Sequence, residues 1–186
     1  MRKLTALLAA GLVLGLSGQA MATNQGTATV GATIISPIEI TTGPVLSFGK
    51  FVLPTGTETV TMPTSGSRTK SGGLKFVSGG TETPAVFTVT GSTTLAYNAV
   101  VGFTNLLVAN GVATGLKLTS VDVSCGGHGN GSGSAYTNVT DGGSLACTEN
   151  VTDTLTIGGT LEIDGTAATA GIKTSVNVIT VTVDYN

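Results

Sequence analysis

His128 is the one histidine of the chain, and it lies in the run GGHGNGSG between Cys125 and Cys147. One imidazole and two thiols fall short of a zinc ligand set, and no Asp or Glu cluster stands beside them at ligand-like spacing. In so loose a glycine setting a lone histidine is a solvated side chain rather than a general base. Asp141, Asp153, Glu162 and Asp164 are oxygen donors, but their spacing is not that of an EF-hand loop, and acidic turns account for them. No G-x-S-x-G elbow is present. The glycine run lacks the Lys-Ser/Thr ending and the strand-to-helix setting of a phosphate cradle. No carboxylate pair for glycoside hydrolysis stands out, and the absence of Trp argues against a sugar-stacking cleft. The sequence therefore predicts no catalytic residue, no metal and no cofactor. Three matches to the N-glycan acceptor pattern, at Asn130, Asn138 and Asn150, are of the kind that Thr- and Asn-rich loops produce by chance.

The remaining chemistry is covalent. Residues 1–22 read as a secretory leader: Arg2 and Lys3, an apolar run from 4 to 16, and an Ala20-Met21-Ala22 cleavage site. The apolar run is too short to span a bilayer, and no later segment reads as transmembrane. In an exported chain Cys125 and Cys147 are expected to pair, a reactive thiol or a metal pair being the alternatives. Closing a loop of this size stabilises the fold by roughly 3 kcal/mol in the chain-entropy picture.

The elements that must carry these residues are strands. Beyond residue 22 the chain holds six basic and ten acidic side chains, with 28 glycines in all, many threonines and few strong helix formers. No basic stripe exists for nucleic acid or anionic lipid. Alternating segments are read at 45–48, 58–62, 73–78, 85–90, 95–101, 114–124, 154–163 and 175–185. Leu116 and Leu118 change phase to Val121 and Val123, and Gly158-Gly159 reads as a bulge or a bend. Eight or so short strands with frequent turn signals predict one all-β domain, a β-sandwich. The segment between the cysteines reads as a surface excursion tied at its base.

The two ends of the mature chain stand out. Residues 27–40, TATVGATIISPIEI, keep one apolar face over a length of about 43 Å, twice a usual strand. Ser36-Pro37 divides it, because proline lacks a donor and restricts the residue before it. The piece after Pro37 stays with the domain. The piece before it is expected to leave and pair with another molecule, with Ala28, Val30, Ala32 and Ile34 filling a groove there. At the other end Ile179, Val181, Val183 and Tyr185 share one face and form a wall of any open groove. The competing reading makes residues 27–35 the first strand of a complete sandwich. An unpaired apolar edge is an aggregation hazard, so one of the two solutions must operate.

The leader, the arm, SPIEI, VLSFGKF and the closing VITVTVDYN together resemble bacterial pilins of the chaperone–usher type. The likeness is to their archaic and alternative branches and to a related secreted family of unassigned function. LSFG at 46–49 is similar to the strand-entry signature of spore-coat-type pilins, and Tyr185 to the C-terminal pattern of pilus subunits. The resemblance implies an immunoglobulin-like sandwich that lacks one strand and is completed by a donor strand. By that likeness Ala28, Val30, Ala32 and Ile34 are the donor side chains, and Ile179, Val181, Val183 and Tyr185 the acceptor edge. It further implies a signal peptide at 1–22, a donor arm at 23–36 and a pilin domain at 37–186. The implied partners are like subunits in a filament, a periplasmic chaperone and an outer-membrane usher in a Gram-negative bacterium, and a host or abiotic surface. The expected function is a non-enzymatic pilus subunit. The alternative is a monomeric adhesin or carbohydrate-binding module acting through the 126–143 loop.

Overall fold

The computed structural model describes residues 25–92, 95–109, 112–126, 134–147, 152–174 and 178–186. The leader, His128, Asn130 and Asn150 lie outside the described residues. The chain divides into an N-terminal unit ending at Ile34 and a body from Ile35 onward. Of the first unit, residues 25–34 are described; they carry no strand or helix, and every one is exposed.

The body is all β. Its strands are β1 (Glu39–Thr42), β2 (Ser47–Phe51), β3 (Thr57–Met62), β4 (Thr69–Lys70), β5 (Phe76–Thr83), β6 (Ala85–Thr90) and β7 (Tyr97–Phe103). There follow β8 (Leu106–Ala109), β9 (Val112–Gly126), β10 (Ser134–Val139), β11 (Gly143–Cys147), β12 (Thr152–Asp164) and β13 (Ile179–Tyr185). They form an eight-stranded, a three-stranded and a two-stranded sheet, antiparallel throughout. Among the described residues no helix is long and apolar enough to cross a membrane.

β12 is the spine of the large sheet. β9 runs along one of its edges from residue 154 to 163, and β6 and then β3 share the other. β6 pairs with residues 152–157 and β3 with residues 159–164. Gly158 stands at the handover, where a Cβ would overlap the Met62 carbonyl and Pro63. Gly158-Gly159 is thus a site of close backbone approach, and the bulge lies elsewhere. It falls between Thr160 and Leu161, where Thr119 is left unpaired, and this is the phase change between Leu118 and Val121. β1 flanks β6, β4 flanks β3, and β10 and β8 share the far edge of β9.

The inner face of this sheet is covered in two parts. The three-stranded sheet, in the order β11-β7-β13, packs on its upper half, where Tyr97, Ala99, Val101 and Leu145 meet Val121, Val123, Leu155 and Ile157. The β2–β5 pair covers the lower half, where Phe48, Phe51 and Phe76 rest on Val60, Leu116, Leu161 and Ile163. Each fully buried aliphatic or aromatic side chain contributes about 1.5–3 kcal/mol.

The segment between the cysteines differs from the expected surface excursion. β10 and β11 lie there, and their Val139 and Leu145 are buried in the core. Asn138, at a left-handed φ of 51°, and a register shift between Tyr136 and Val139 break the period-two pattern by which a strand is read.

Candidate strand-acceptor edge

β13 is an edge strand. It pairs with β7 from Ile179 opposite Phe103 to Tyr185 opposite Tyr97. Thr104 N–H donates to the Val178 carbonyl at 2.8 Å, and Asn186 N–H to the Ala96 carbonyl at 3.0 Å. The even-numbered residues of β13 therefore face β7 with their main-chain groups. Ile179, Val181, Val183 and Tyr185 direct their N–H and C=O groups to the opposite side, where no described strand pairs with them. The side chains of these same four residues point into the sandwich. Val183 is buried, whereas Ile179, Val181 and Tyr185 are only half-buried.

β1 is the matching edge of the large sheet. Gly43 N–H donates to the Val86 carbonyl at 2.8 Å, so Glu39 and Thr41 face β6. Ile38 and Ile40 turn their side chains inward, half-buried, and their main-chain groups outward. Both continue the apolar alternation that runs from Ala28 to Ile40 in the sequence. The Tyr185 hydroxyl closes the upper end of this side. It donates to the Ser36 carbonyl at 2.8 Å and accepts from Ser92 N–H at 2.6 Å. A Cβ at Gly91 would overlap that hydroxyl. In the N-terminal unit Val30 and Ile34 are 97% and 94% exposed, and Ala28 and Ala32 are exposed as well.

Cys125 and Cys147 form a disulfide with Cα atoms 5.8 Å apart. It joins β9 of one sheet to β11 of the other, inside the core. It is a staple between layers rather than the base of a surface loop. Nearby, the Tyr97 hydroxyl donates to Asp153 Oδ2 at 2.6 Å, and Asp153 Oδ1 accepts from Thr154 N–H at 2.7 Å. Tyr97 and Asp153 are both buried. Burial, then the hydrogen bond and the negative charge of Asp153, hold the Tyr97 phenol far above the ordinary tyrosine range. No local pattern marks this polar bridge, because Tyr97 and Asp153 are 56 residues apart.

The four carboxylates considered as cation ligands are dispersed. Asp141 accepts from Phe103 N–H at 2.8 Å, Glu162 pairs with Lys117 at 3.5 Å, and Asp153 is taken by Tyr97. Asp164 caps its own turn by accepting from Thr166 Oγ1 and Thr166 N–H, which lowers its pKa. No group of three or more His, Cys, Asp or Glu poised for a metal occurs among the described residues. An open cleft of about 430 Å³ lies between β10 and β11, lined by Tyr136, Thr137, Asn138, Thr140 and Ser144 over Leu145.

The profile of a domain of unknown function, DUF4402, matches residues 38–185. The chain belongs to the DUF4402 family. No curated protein and no solved structure shows significant similarity to it. The DUF4402 match begins at Ile38, just before β1, and runs through Tyr185 of β13, so both open edges fall within it. Residues 25–34 lie before it.

Proposed function

We propose that this DUF4402 protein is a structural subunit of an extracellular pilus, joined head to tail by strand addition. The observation that carries the proposal is a pair of unmatched halves. The body has an edge strand whose Ile179, Val181, Val183 and Tyr185 offer main-chain groups outward and side chains inward, all but Val183 only half-buried. The chain also has a segment whose Ala28, Val30, Ala32 and Ile34 alternate at the same period and lie exposed. Four donor positions meet four acceptor positions. In one copy the donor strand of the next restores the ladder and fills the groove between β1 and β13. Such contacts do not close on themselves, so they generate filaments.

On this reading residues 1–22 direct export and are removed. A periplasmic chaperone occupies the β13 edge until an outer-membrane usher exchanges it for the next subunit. The work of the protein is mechanical and adhesive, with no catalysis. The test is Val30→Asp with Ile34→Asp in the full chain. Two carboxylates in an apolar groove prevent donation, and both positions are exposed, so the body stays folded. Electron microscopy is expected to show filaments for the parent chain and dispersed particles for the variant. Normal filaments from the variant would refute the donor assignment.

A further inference from the structure

The described cations of the body gather toward one end, whereas its acids occur at both. The upper end is where Tyr185, Ser36, Thr90 and Thr152 meet; the lower end is where β2–β5 cover the large sheet. Lys50, Arg68, Lys70, Lys75 and Lys117 lie in the lower half, together with Glu58, Glu82, Glu162 and Asp164. Lys50, Arg68, Lys70 and Lys75 surround β2–β5, Lys117 faces Glu162, and Lys173 lies in the segment between the end of β12 and the start of β13. Lys50 stands opposite Val77, and Val52 N–H donates to the Lys75 carbonyl at 2.9 Å, so these residues form one surface. Arg68 stacks over Phe76 at 3.9 Å and pairs with Glu82 at 3.8 Å, while Lys50, Lys70 and Lys75 remain exposed. Exposed Val52, Leu53 and Val77 lie among them. The upper end carries exposed Glu39 and Asp184 and, among the described residues, no cation.

We propose that a second, body-to-body contact accompanies the inserted strand: the lysine-bearing β2–β5 surface of one copy docks on the Glu39–Asp184 end of the next. The proposal rests on the strand-addition reading and adds its direction and its second interface. A donor can lie along β13 in two directions. Parallel insertion brings the donor's Ser36 to the acceptor's Tyr185, acid against acid. Antiparallel insertion sets Ile34 opposite Ile179 and Ala28 opposite Tyr185. Ile35, Ser36, Pro37 and Ile38 then bridge to β1 over at most about 14 Å, which holds the two bodies close together. That contact brings Glu39 and Asp184 at the upper end of the donor toward the exposed Lys50, Lys70 and Lys75 at the lower end of the acceptor. Complementary charge of this kind steers encounter and fixes orientation.

The test uses two full-length variants, Lys50→Glu with Lys75→Glu, and Glu39→Lys with Asp184→Lys. Seeded filament growth is followed by light scattering. Each variant alone is expected to elongate on the order of tenfold more slowly than the parent at low salt. An equimolar mixture is expected to recover parental growth as alternating filaments, because each inverted end then meets its complement. A labelled peptide of residues 25–36 is added in parallel to each variant carrying Val30→Asp and Ile34→Asp. Peptide binding equal to the parent's shows that groove and fold are intact. If the peptide binds while growth is unchanged, or the mixture fails to recover, the docking proposal is overturned and strand addition stands. If the peptide binds no chain, the parent's included, strand addition itself fails and the docking proposal falls with it. Loss of binding to phosphatidylglycerol vesicles in the lysine variant, with growth unchanged, would assign the patch to a lipid surface and overturn the proposal.

Discussion

Tyr185 and Tyr97 are neighbours across β13 and β7, yet their hydroxyls do different work. Tyr185 ties the point where the body begins, at Ser36, to the loop at Ser92. Tyr185→Phe keeps the ring and removes two hydrogen bonds. It is expected to lower stability by about 1–2 kcal/mol in urea unfolding of the non-polymerising Val30→Asp, Ile34→Asp chain. Tyr97 bridges the two layers through Asp153. Its phenol titrates higher in the folded chain than in the unfolded one, so the folded state holds the proton more firmly. The stabilisation is complete below the unfolded tyrosine pKa of about 10 and declines as pH rises beyond it. The unfolding free energy is therefore expected to fall above pH ~10 by at most about 1.4 kcal/mol per pH unit from this group. Tyr97→Phe is expected to remove that dependence and to cost about 1–3 kcal/mol at neutral pH, since Asp153 loses a buried donor.

The strands show which interactions a linear pattern can carry. β6 lies where its alternation places it, at Ala85–Thr90, and the phase change after Leu118 is a bulge that the apolar pattern exposed directly. Local periodicity sufficed because each strand has one face in the core. β10 and β11 escaped notice for a physical reason. Their pattern is interrupted by the left-handed Asn138 and embedded in glycines, and only the Cys147 tie and the burial of Val139 and Leu145 define them. Gly158 was visible as an irregularity, but its cause, the carbonyl of Met62, lies almost a hundred residues away. Gly158→Ala is expected to separate β3 from β12 and cost about 2 kcal/mol or more, read as a lowered midpoint of thermal unfolding. The edge status of β13 was suggested by its terminal position and its single apolar face. Its partner edge β1, and the direction in which each main chain points, required the pairing registers.

At the scale of the whole molecule, two features point the same way. One side of the body leaves two edges unpaired by any described strand, and residues 25–34 offer an alternating exposed segment outside the DUF4402 match. An open edge with half-buried apolar side chains favours association unless something covers it. The low charge, 10% of residues, gives little protection against such pairing. The most direct test is hydrogen exchange at the main-chain amides of Ile179, Val181, Val183 and Tyr185. The measurement compares the monomeric Val30→Asp, Ile34→Asp chain with assembled parental filaments. These four amides are expected to exchange rapidly in the monomer and to become strongly protected in the filament, while those of Thr180, Thr182 and Asp184 are protected in both. Slow exchange of the four in the monomer, or rapid exchange in filaments, would contradict the account.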